Sequence, residues 1–162
     1  MNEKRILLEL PSGAILKAAP FWPAKRDDEP EAVFFARIEA KLRAFKPEYA
    51  DAARLPDVLP ADLPKPSCFR ACWRKDGTGK IRVDMPLARA QKMAEIRAER
   101  DSHFPALDGE WMKATGQGDT AAAASIESAR QTLRDIPQTI DLDAITTPGR
   151  LETFAPPWPE GT

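Results

Sequence analysis

Between residues 120 and 136, Ala122, Ile126, Ala129, Leu133 and Ile136 recur at spacings of four, three, four and three. That period fits one side of an α-helix and no side of a strand, so the stretch reads as a helix burying a narrow apolar seam. Pro137 is expected to end it, because proline lacks the N–H that a helix uses and restricts the residue before it. Upstream, Met93, Ile96, Phe104, Leu107 and Trp111 form a second helical stripe, and residues 115–119 (T-G-Q-G-D) supply a turn between the two. An antiparallel helical hairpin over residues 85–136 follows, with Glu127 expected on its outer face. Pro105 and Gly109 lie in the first arm and predict a kink or break before Trp111.

The remainder of the chain predicts strands. Residues 6–10 and 14–18 flank Pro11-Ser12-Gly13, a turn triplet, and so read as a small hairpin. Pro20-Phe21-Trp22-Pro23 closes it as a rigid aromatic segment. A helix is expected at 29–46, where Glu29-Pro30 suits the start, Phe34, Ile38, Leu42 and Phe45 share a face, and Pro47 stops it. Residues 47–66 then hold Pro47, Pro56, Pro60, Pro64 and Pro66, which predicts extended, polyproline-like chain bridging two halves. Leu55, Val58, Leu59 and Leu63 in that bridge should dock on neighbouring elements. Phe69–Arg74 and Lys80–Asp84 alternate around a glycine-bearing turn and read as a β-hairpin, with a helical turn in its first arm as the alternative. Asp84 and Pro86 suit the start of the next helix. The expected fold is α+β, with an N-terminal part at 1–66 and a second part at 67–162.

Charge and composition argue against several functions. The 162 residues carry a formal net charge of -1 with basic and acidic residues interspersed, so no overall field attracts nucleic acid or an anionic membrane. No run approaches the roughly 20 apolar residues of a spanning helix, and residues 6–10 are too few for a signal-peptide core. A cytoplasmic product is expected, or one that leaves the cell only within an assembly. Cys68 and Cys72 could share a helix face or a strand side, but zinc favours four ligands and His103 is the one histidine, so the thiols read as structural or incidental. Asp76-Gly77-Thr78-Gly79-Lys80 resembles part of a phosphate loop, yet Ile81 stands where a magnesium-binding hydroxyl belongs, and a hairpin turn is the better reading. Neither His103, among Arg100, Asp101 and Ser102, nor helix-face carboxylates such as Glu95 and Glu99 form a catalytic constellation. No enzyme activity, cofactor or metal is expected.

The C-terminal segment Phe154-Ala155-Pro156-Pro157-Trp158-Pro159 pairs a large aromatic with stiff chain, which lowers the entropy lost on docking. Phe154, Pro157, Trp158 and Pro159 are therefore candidate partner-binding residues, with Arg134 and Asp135 as polar orienting groups. The alternative has Trp158 folding back to complete its own thin core.

From Phe69 onward the chain resembles the tail assembly chaperones, or tail-fibre assembly proteins, of tailed bacteriophages. The resemblance rests on Phe69-Arg70-Ala71-Cys72-Trp73-Arg74, the V-D-M-P-x-A-R run of residues 83–89, and Ile96-Arg97-Ala98-Glu99-Arg100. It continues through Ala106-Leu107-Asp108 with Trp111-Met112, Gly118-Asp119-Thr120-Ala121, Leu133-Arg134-Asp135-Ile136-Pro137, Thr147-Pro148-x-x-Leu151 and Trp158-Pro159. It implies a protein that works by contact with a tail, baseplate or tail-fibre protein in the host cytoplasm, self-association being compatible with that role. A permanent place in the virion tail tip, baseplate or fibre joint is the alternative implication.

Overall fold

The computed structural model describes residues 4–159. The fold is α+β, and the chain divides into two compact units, residues 1–84 and 85–162.

In the first unit, β1 (Arg5–Glu9) pairs antiparallel with β2 (Ile15–Ala18), Leu7 opposite Lys17 and Glu9 opposite Ile15. The connecting turn is closed by Leu10 N–H donating to the Ala14 carbonyl (2.8 Å), and Gly13 supplies its left-handed residue (φ +77°). Alternation sends β1 side chains to both faces. Ile6 packs with Phe34 and Phe35 of α1 (Glu31–Phe45), where Trp22 adds ring contacts at 5.6 and 5.7 Å. Leu7 packs with Ile15, Leu63 and Trp73 on the other side.

The proline-rich bridge contains a strand that its prolines concealed. β3 (Ala53–Val58) pairs antiparallel with β1, Leu7 opposite Leu55 and Arg5 opposite Val58, giving the order β2-β1-β3. Pro56 is tolerated because β3 is an edge strand and the register shifts between Arg5 and Leu7, opposite it. The aromatic segment 69–72 is also not a strand. Residues Ser67–Cys72 form 3-10 turns, and the following hairpin is short, β4 (Trp73–Lys75) pairing with β5 (Ile81–Val83). Because Trp73 belongs to the core of Leu7 and Ile15, this hairpin completes the first unit, and the division falls at 84/85 instead of the expected 66/67.

The second unit is the helical hairpin with a C-terminal wrap. Helix α2 (Met85–Gly116) is continuous through Pro105 and Gly109, so of the expected kink or break the break does not occur. Both are exposed, as is Asp101, the residue whose carbonyl Pro105 deprives of its helical partner. Gly118 (φ +71°) turns the chain, and Asp119 caps α3 (Thr120–Thr139) by accepting from Ala122 N–H at 2.9 Å. Pro137 lies inside α3, which continues to Thr139. The burial of Ile136 holds the residue that proline would otherwise displace from helical geometry. The expected seam faces inward, with Leu133 and Ile136 buried and Ala122, Ile126 and Ala129 half-buried, against an α2 that buries Ile96, Leu107 and Ala114.

Candidate partner-binding surfaces

After α3 the chain turns back along α2. The Arg89 guanidinium gathers the loop, donating to the Ile145 carbonyl (2.8 and 3.2 Å) and the Asp143 carbonyl (3.2 Å), with the Asp143 carboxylate at 3.3 Å. Leu142, Ile145 and the Leu151 side chain of α4 (Pro148–Glu152) are buried. Lys92 Nζ donates to the Glu152 carbonyl at 3.3 Å. The terminal segment thereby reaches the middle of α2, where the Trp158 and His103 rings lie 5.2 Å apart at 53°. Trp158 is half-buried, Pro156 is buried and Pro157 is exposed.

Trp158, a candidate anchor for another chain, has a ring contact within its own unit, and Phe154 and Pro159 are likewise half-buried. Arg134 and Asp135 bond along α3: Arg134 Nη1 donates to Glu127 (2.9 Å) and Gln131 (3.2 Å), and Asp135 accepts from Gln131 (3.0 Å). Glu127 is not on a fully outer face. It is half-buried, and hydrogen bonding from Arg134, with Arg130 beside it, lowers its carboxyl pKa.

Arg130 is a hinge of contacts that sequence reading missed. It donates to Glu127 (2.7 Å), bridges to Asp108 of α2 (2.8 Å), and stacks over the Trp111 ring at 5.8 Å. Trp111 and its chain neighbour Met112 are both exposed, residue types that, with arginine, are enriched in contact surfaces. The i, i+3 offset of Trp111 from Asp108 was visible in sequence, but its pairing with Arg130 depends on hairpin register.

The phosphate-loop look-alike is a turn whose donors are occupied. Asp76 accepts from Thr78 N–H (2.8 Å), Thr78 Oγ1 (2.6 Å), Lys80 N–H (3.0 Å) and Arg82 Nε. The Thr78 hydroxyl and the Arg82 guanidinium hold its carboxyl far below the usual carboxylate range. A carboxylate already sits where a phosphate would have to bind.

A cleft of about 500 Å³ opens between β3 and β5. Leu7, Leu55, Val58, Leu63 and Ile81 form its walls, with Asp62, Lys80 and Arg82 at the rim. Among the described residues, no group of three or more His, Cys, Asp or Glu is placed to hold a metal ion. Cys68 is exposed and Cys72 buried. No helix in the described residues is long and apolar enough to cross a membrane. No protein-family model matches this chain, and no match is found among curated proteins or solved structures.

Proposed function

We propose that this chain acts by protein–protein contact in building a bacteriophage tail or tail fibre, covering apolar surface on a tail, baseplate or fibre subunit until that subunit is incorporated. The observation behind this reading is the ordered series of motifs from Phe69 to Pro159 that resembles tail assembly chaperones. In the fold those motifs run from the 3-10 turns before β4 through β4, β5, α2, α3, α4 and the terminal segment. Contact is favoured over catalysis because Asp76, the centre of the phosphate-loop look-alike, is committed to closing a turn, and His103 lies against the Trp158 ring with no carboxylate or thiol bonded to it among the described residues. The exposed Trp111 and Met112, with the half-buried Arg130 over the Trp111 ring, offer a contact surface.

The test is mass spectrometry of purified particles beside the infected-cell lysate. A chaperone is abundant in the lysate, copurifies with a tail or fibre subunit, and is absent from finished particles. A stoichiometric band in the particle would instead assign a permanent place in the tail tip, baseplate or fibre joint. Absence of any tail or fibre partner in both fractions would overturn the reading.

A further inference from the structure

We draw no further inference here: the strongest candidate, the exposed Trp111 and Met112 surface of α2 with the half-buried Arg130 over the indole ring, is an apolar patch on one arm of the helical hairpin, and nothing in the structure shows what covers it.

Discussion

Leu133 is wholly buried in the helical seam, and its environment makes a sharp demand on volume. Leu133→Ala is expected to cost roughly 2–5 kcal/mol, the lost transfer energy plus a cavity, read as a lower denaturation midpoint at unchanged slope. Glu29 tests electrostatics instead. Its carboxylate accepts from Arg37 Nε (3.0 Å), Arg37 Nη2 (2.7 Å) and the Arg26 N–H (3.3 Å), with hydrogen bonding from Arg37 the chief reason its pKa falls to about 2. A depressed carboxyl pKa stabilises the fold above the unfolded value and ceases to do so as protons bind. This contribution should therefore be complete at neutral pH and disappear as pH drops from about 4.5 through about 2. Arg37→Met should return the Glu29 midpoint toward the ordinary carboxyl range, measured by NMR titration of the side-chain carbon.

At the scale of elements, two glycines make opposite predictions. Gly118 holds φ +71° in the turn between α2 and α3, a conformation that costs an L-residue about 1–2 kcal/mol, so Gly118→Ala should destabilise by that amount. Gly109 lies inside α2, where a Cβ would meet no atom within 4 Å, and Gly109→Ala should stabilise by about 1 kcal/mol. Urea unfolding of both variants checks the pair. The same helices show what local sequence can convey. Seam residues from Ala122 to Ile136, the 115–119 turn and the 6–18 hairpin were legible because each is specified by neighbours in the chain. Pro137 misled as a stop, and Pro105 as a break, because a proline's cost depends on which way its helix face points and on what holds the adjacent residues, and both are tertiary facts.

At the scale of the whole molecule, the illegible parts are those set by distant pairing. Pro56 argued against a strand, yet β3 forms because Leu55 and Val58 meet β1 some fifty residues earlier in the chain. Of the candidate binding residues, sequence identified Trp158 as important but not its destination, since only the return of the chain past α4 brings it to His103. Deleting residues 154–162 should accordingly lower the melting temperature by roughly 3–6 °C, as a thermal scan would show, with the α2–α3 hairpin still folded by circular dichroism. An unchanged melting temperature would restore the partner-anchor account of Trp158.

The burial of β1 on both faces also governs when the first unit can form during synthesis. The β1–β2 pair is available almost as soon as it leaves the ribosome, but Ile6 waits for Phe34 and Phe35, and Leu7 waits for Leu63 and Trp73. Its central strand thus has no complete shelter until more than seventy residues have been translated, whereas the α2–α3 hairpin draws on close neighbours. A nascent chain stalled before Trp73 is therefore the species most exposed to aggregation, and the one on which ribosome-associated chaperones should be found.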